Sequence, residues 1–167
     1  MESVFVLKIL LIMVAVIFMH TRRLTAAAID GAEKEGQVYF LSPAGDDDNP
    51  GTQEAPWASI SKASQSAQAG DTILFLPGVY KGTLAPANSG RPGAPITFRA
   101  AVRRTVKLIG DGTNSYTVSL ANLSYVRVEG FDIKPESDEG RWLLVSNVSH
   151  VSIEDCLMED ARGDMPF

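Results

Sequence analysis

A twelve-residue segment occurs twice in this chain, and the repeat constrains the fold more than any other feature. Residues 122–133 read NLSYVRVEGFDI and residues 147–158 read NVSHVSIEDCLM. Asn, Ser, Val and Glu are identical at four matched positions, and the two copies begin 25 residues apart. A repeat period between about 20 and 50 residues indicates an architecture in which each unit buries its apolar face against the next unit.

The strands within each copy are too short to bury a face alone. Each copy has two β-rich runs separated by a two-residue corner, Glu-Gly or Glu-Asp. If the chain coils, each strand lies parallel to its counterpart about 4.8 Å away, and backbone hydrogen bonds close between turns. Val126 then stacks on Val151 inside the coil, and Val128 stacks on Ile153. Each such side chain contributes roughly 1.5–3 kcal/mol when fully buried. The repeat therefore predicts an all-β fold built as a parallel coil.

The region before the repeat supplies one helix and several further strands. Apolar residues at helical spacing predict a short amphipathic helix over about residues 59–69, with Ser59 as N-cap and Gly70 as C-cap. With the run Val38–Leu41, this helix suits the role of capping the open end of the coil. Short β-rich runs between turn residues predict strands at 72–76, 79–80, 96–99, 105–109, 125–128, 131–133, 151–153 and 156–158.

Several motifs in this part of the chain carry a family resemblance. They are YFLSPAGD from Tyr39, NPGT from Asn49, PWASI from Pro56, AGDTI from Ala69, LPGVY from Leu76 and GAPITFRA from Gly93. They resemble the N-terminal cap and first rungs of pectate-lyase-like proteins, and alginate lyases and chondroitinase B open in a similar way. The resemblance implies a right-handed parallel β-helix, a solenoid with a short N-terminal capping helix, incomplete at its C-terminal end. It carries no catalytic residue onto this chain.

The first 36 residues read as a targeting segment and a linker. An apolar run at Ile9–Met19 followed by Ala26–Ala28 predicts a signal peptide over residues 1–28. Arg22 and Arg23 follow the apolar run, which leaves an uncleaved anchor as the alternative. Residues 29–36 are a polar linker, and residues 37–167 are the N-terminal part of the β-helix domain. We expect a secreted, periplasmic or cell-surface protein without stable membrane insertion after cleavage.

The net charge and the cysteine content limit the classes of partner and metal that this chain can bind. The net charge of −5 argues against a nucleic-acid partner, which usually needs a basic face. The single cysteine, Cys156, excludes an intrachain disulfide, and no Cys/His spacing suits zinc. The resemblance implies a polysaccharide as the partner, and the acidic net charge does not argue against an acidic one, because a local basic strip can lie on an acidic protein.

Three basic residues are candidates for contacting such a polymer. Arg99, Lys107 and Arg127 each lie between apolar residues of a predicted strand, so they point outward. If their strands share one sheet, they form a basic strip that would neutralise the carboxylates of a uronic-acid polymer. The alternative is that they are solvated charges on the outer face.

Carboxylates cluster near the end of the chain. Asp155, Asp160 and Asp164 are candidate calcium ligands, as aspartates are in the pectate lyases that the sequence resembles. The alternatives are an acid/base pair for glycoside hydrolysis and ordinary surface charge. His150 is a candidate base, although it also fits an ordinary outer position. No cofactor follows with certainty, and calcium remains open.

These observations leave three functions. The first is a polysaccharide lyase acting by β-elimination on a uronic-acid polymer, the second a glycoside hydrolase on the same scaffold, and the third a non-catalytic glycan- or partner-binding module. Because the resembling proteins have many more rungs, we expect the catalytic centre to lie in later rungs and the catalytic residues to be absent here. The 167-residue product is then expected to be inactive and to self-associate through an open edge.

Overall fold

The computed structural model describes residues 36–137 and 139–159, which form short strands and one short helix. The strands are β1 (Val38–Leu41), β2 (Thr72–Phe75), β3 (Gly78–Lys81), β4 (Ile96–Ala100), β5 (Val106–Ile109), β6 (Tyr116–Ala121), β7 (Ser124–Glu129), β8 (Asp132–Lys134), β9 (Arg141–Ser146), β10 (Ser149–Glu154) and β11 (Leu157–Met158). The helix is α1 (Ile60–Ser66). Among the described residues, no helix has the length and apolar character needed to span a bilayer.

The strands form three parallel sheets, and the chain visits them in turn. Sheet A has the order β1-β2-β4-β7-β10, sheet B has the order β11-β8-β5-β3, and sheet C pairs β6 with β9. Strands that are neighbours in a sheet come from successive turns of the coil. The structure therefore confirms the predicted parallel β-helix. Sheet C was missed by the sequence analysis, which placed two strands in each unit where the structure has three.

The two copies of the repeat lie one above the other in the predicted register. Val151 pairs with Val126 and Ile153 with Val128 between β10 and β7. At the corner before these strands, the Nδ2 of Asn147 donates to the Oδ1 of Asn122 at 2.8 Å. This hydrogen bond between equivalent asparagines, here called the asparagine ladder, joins one turn of the coil to the next at the corner.

The interior of the coil is apolar and closely packed. The largest fully buried side chains are Phe75, Phe98, Phe131, Leu41, Ile60, Ile73, Leu84, Ile96, Leu108, Leu120, Ile133 and Val106. The Phe75 ring meets Phe131 edge-on at 5.0 Å and Tyr80 at 5.3 Å between ring centroids. The Tyr80 hydroxyl hydrogen-bonds the carbonyls of Leu41 and Leu76 at 2.9 and 2.7 Å, so its polar end is satisfied inside the core. Burial raises the pKa of this hydroxyl.

Helix α1 packs onto the core beside the first turns. Ile60 and Ala63 are buried, and Ser59 is the N-cap, as predicted, with its Oγ accepting from the Lys62 N–H at 3.0 Å. The predicted end of the helix at Gly70 is wrong. Ala67 is the C-cap and has extended backbone, with φ −60° and ψ 133°. Gly70 instead turns the chain with φ +92°, where a Cβ would lie 3.1 Å from the Cα of Gly36.

The predicted targeting segment is outside this picture. Residues 1–28 and residues 29–35 of the linker lie outside the described part of the chain. The signal peptide and the destination of the protein therefore remain predictions.

Candidate functional site

Sheet A presents two of the three predicted basic residues on its outer face. Arg99 on β4 and Arg127 on β7 are exposed, because inward and outward positions alternate along each strand. The register pairs Arg99 with Glu129, and Arg127 with Thr97 on one side and Ser152 on the other. Arg127 therefore has no carboxylate directly beside it in its column. Among the described residues, neither arginine forms an ion pair.

Lys107 does not join these arginines in one strip. It lies on β5, which belongs to sheet B, because the turn at residues 101–105 carries the chain around a corner after β4. Its ammonium lies 3.0 Å from the Oε2 of Glu159, and its register neighbour on β8 is Asp132. The predicted strip of three cations required their strands to share one sheet, and that prediction is therefore wrong. Whether each residue binds substrate remains a prediction.

Asp155, one of the three candidate calcium ligands, has a cation as its partner. Its Oδ2 lies 2.7 Å from a guanidinium nitrogen of Arg103. Asp160 and Asp164 lie outside the described residues, and the residues that are described contain no group of three or more His, Cys, Asp or Glu able to hold a metal. The described residues alone therefore do not form a calcium site, and the calcium prediction stays open.

Two other residues singled out from the sequence, His150 and Cys156, make contacts that suit a structural role. His150 stacks on Tyr125, with ring centroids 4.4 Å apart and planes 7° from parallel. Cys156 is partly buried against the core, and this burial raises the pKa of its thiol. The stack repeats an aromatic position from one turn to the next, which is what the repeat predicts for an outer corner. Nothing in these contacts gives His150 a partner that would make it a base.

A polar cleft that the sequence analysis did not identify lies between two successive turns. It has a volume of about 230 Å³ and is formed by the turn after β5 and the turn after β8. Tyr116 and Arg141, from the first positions of β6 and β9, line it, and an Arg141 nitrogen donates to the Tyr116 hydroxyl at 3.1 Å. Glu136 and Glu139 also line the cleft. The cleft offers an aromatic ring beside hydrogen-bonding and charged groups.

A carboxylate in the first of these turns is held in its ionised form. The Thr113 hydroxyl and backbone N–H both bind the Oδ1 of Asp111, at 2.5 and 2.9 Å. These hydrogen bonds lower the pKa of the exposed Asp111 carboxyl, since they favour the charged state. The sequence signal that could have found the cleft is the repeat offset of 25 residues, which places the turn that begins at Gly110 next to the turn that begins at Pro135.

Comparison with known proteins agrees with this architecture. The model of the family described as "Pel9A-like, right handed beta helix region" matches residues 39–165. The crystal structure of GH136 lacto-N-biosidase from Eubacterium ramulus superposes with a TM-score of 0.63 at 20% identity, over 78% of this chain and 28% of that one. At this identity the likeness shows the fold alone. The handedness predicted from the sequence is confirmed by the family match.

Two curated proteins are related in sequence. YwoF of Bacillus subtilis is 31% identical over 134 residues, which cover 74% of this chain and 29% of that protein. The pectate lyase PEL9 of Emericella nidulans is 38% identical over 87 residues, which cover 51% of this chain and 21% of that protein. The matched parts are thus less than a third of either relative's length.

Proposed function

This chain belongs to the Pel9A-like right-handed β-helix family. We propose that its β-helix is that of a secreted polysaccharide lyase, which cleaves a uronic-acid polymer by β-elimination. The chain's β-helix is a carbohydrate-active scaffold. The sequence similarity to a protein named pectate lyase supports the finer assignment. The substrate, the reaction and secretion are parts of the proposal.

The observation that carries the proposal is the outer face of sheet A. Arg99 and Arg127 are exposed there on adjacent strands, and Arg127 has hydroxyl residues as its register neighbours. Elimination removes the proton beside a sugar carboxylate, so the enzyme must neutralise that carboxylate and supply a base. The arginines suit the first task, because a guanidinium binds a carboxylate through two parallel hydrogen bonds. We assign no base among the described residues.

The test measures product and binding with the full chain. We expect a tetragalacturonate to bind the chain, and this binding to weaken as salt is added. Unsaturated uronates from polygalacturonate or alginate, detected by their ultraviolet absorbance, are expected only where the rungs that hold the catalytic centre are also present. Arg127→Gln is expected to weaken that binding about tenfold, since it removes a charge-assisted contact. Arg104→Gln is the matched control, because Arg104 lies on the turn before β5 and away from the outer face of sheet A.

The possible outcomes separate the three functions. New reducing ends without unsaturated product would indicate hydrolysis and would contradict the elimination. Binding of tetragalacturonate without turnover of any uronate polymer, even where the later rungs are present, would support a binding module instead. Neither product nor salt-dependent binding would contradict a role on acidic sugars altogether. Running each assay with a chelator tests the calcium prediction, because loss of product on chelation is expected only if a metal takes part.

A further inference from the structure

A second cleft lies beside the capping helix, next to the cleft between the two turns. The second cleft has a volume of about 330 Å³ and lies between α1 and the turns that follow β3 and β5. Asn114 lines both clefts, and the two neighbouring clefts are here together called the turn groove. The larger cleft alone reaches the lower end of the roughly 300–1,000 Å³ typical of small-molecule sites.

We propose that the turn groove binds neutral, hydroxyl-rich sugar residues of the same polysaccharide whose acidic residues bind to the arginines of sheet A. This inference rests on the proposed function, because it takes a polysaccharide as the ligand. It extends that function by assigning different sugar chemistry to two different surfaces of the coil.

The charges of the turn groove argue against an acidic ligand. Among the described residues, the groove is lined by two cations, Lys81 and Arg141, and by three carboxylates, Asp111, Glu136 and Glu139, which together carry a net charge of −1. The Lys81 ammonium lies 3.8 Å from a Glu136 oxygen, and both side chains are largely exposed. The lowered pKa of Asp111 keeps its negative charge in place. The net negative charge of the groove would repel the carboxylate of a uronate, whereas a neutral sugar would not be repelled.

The remaining lining groups suit a ligand with many hydroxyls. The Gln65 amide donates to the Ser61 Oγ at 3.1 Å through its nitrogen, and its oxygen accepts no hydrogen bond among the described residues. The Asn114 amide likewise donates through its nitrogen, to the Thr113 Oγ1 at 3.3 Å. Amide oxygens and hydroxyls are both able to bind sugar hydroxyls. Tyr116 also lines the groove, with the Arg141 guanidinium over its ring at 5.7 Å from the ring centroid.

The groove has little to offer other ligand classes. Most small-molecule pockets are lined mainly by hydrophobic side chains, with a few polar groups that set orientation. Here most of the residues that line the second cleft are serine, threonine, amide or charged residues, whose side-chain stems supply its apolar surface. An apolar ligand would leave these groups without partners, at a cost of about 1–3 kcal/mol for each one that is buried.

The experiment titrates the full chain with a panel of neutral tetrasaccharides built from hexose, pentose or deoxyhexose units, and with tetragalacturonate. Calorimetry and shifts of backbone amide resonances report the binding. We expect at least one neutral tetrasaccharide to bind, to shift resonances of residues 111–116, and to keep its affinity when salt is added. Asn114→Ala is expected to weaken this binding three- to tenfold and to leave tetragalacturonate binding unchanged.

Two further variants complete the design. Gln53→Ala is the matched control, because Gln53 is an exposed amide outside the groove, and it should change neither binding. Arg127→Gln should weaken tetragalacturonate binding only. If no neutral tetrasaccharide of the panel binds, or if Asn114→Ala leaves the binding intact, the turn groove is not a sugar site. Failure of the proposed function would show differently, as failure of tetragalacturonate to bind.

Discussion

The two copies of the repeat share one backbone but not one environment. The left-handed residues occur at matched positions, with φ of 57° and 50° at Asn122 and Asn147, 54° and 54° at Tyr125 and His150, and 81° and 54° at Gly130 and Asp155. Burial differs, since Val126 and Phe131 of the first copy are fully buried whereas Val151 and Cys156 of the second are half-buried. The repeat thus determines the conformation of each rung, and burial depends on the rungs on either side.

The largest expected difference in stability between the copies concerns Phe131 and Cys156, which follow the corner after sheet A. Phe131→Ala should cost about 3–5 kcal/mol of unfolding free energy, because it opens a cavity beside Phe75. Cys156→Ala, at the matched position, should cost about 1 kcal/mol or less, because the thiol is smaller and only half-buried. Urea unfolding of both variants measures the difference. Equal losses would mean that the two copies are buried alike.

A smaller effect is expected at the asparagine ladder. Asn147→Ala should cost about 2 kcal/mol, because it removes the hydrogen bond to Asn122 and places an alanine at φ 50°. Asn147→Gly loses the same hydrogen bond but tolerates the backbone, so its cost should be lower. Thermal and urea unfolding of the pair separate the two contributions. A glycine variant less stable than the alanine variant would contradict a left-handed corner.

The smallest change in stability is expected at Asp155, at the corner after β10 in the second copy. Asp155→Gly removes the ion pair with Arg103, whose exposed position makes it worth about 0–1 kcal/mol. The glycine relieves the left-handed backbone at the same time, as Gly130 does in the first copy. We therefore expect unfolding free energies within about 0.5 kcal/mol of the parent. A large loss would show that Arg103 and Asp155 hold the upper rung in place.

The cap should make the stability of the chain depend on acid. Burial acts to raise the pKa of Asp47, but hydrogen bonds from the Ser59 hydroxyl and the Ser59 and Ala58 N–H groups outweigh it and lower that pKa. A lowered pKa in the folded state gives stability that is present above the unfolded pKa and is lost as pH falls through the folded pKa. Asp47→Asn should flatten this acid limb of stability measured against pH. An unchanged limb would mean that other carboxyls produce it.

The sequence was sufficient to predict the repeat and the cap, but it did not predict how the candidate site residues are arranged. The match between the two copies predicted the register of Val126 and Val151, because a parallel coil repeats its contacts at the period of its sequence. Sheet C was missed because β6 and β9 lie outside the twelve matched residues. Lys107 was placed with Arg99 because the sequence does not show where a five-residue turn changes direction. The turn groove depends on side chains from α1 and from three turns, which only the folded coil brings together.

The most direct test of the account is a disulfide across the repeat. In a Cys156→Ala background, Arg127→Cys with Ser152→Cys places two thiols on register neighbours of adjacent parallel strands, about 4.8 Å apart and within disulfide reach. Arg127→Cys with Glu154→Cys is the control, offset by two residues to about 8 Å. Peptide mapping by mass spectrometry should find an intramolecular 127–152 bond in the monomer and no 127–154 bond. Absence of the first bond, or equal yields of both, would contradict the parallel coil.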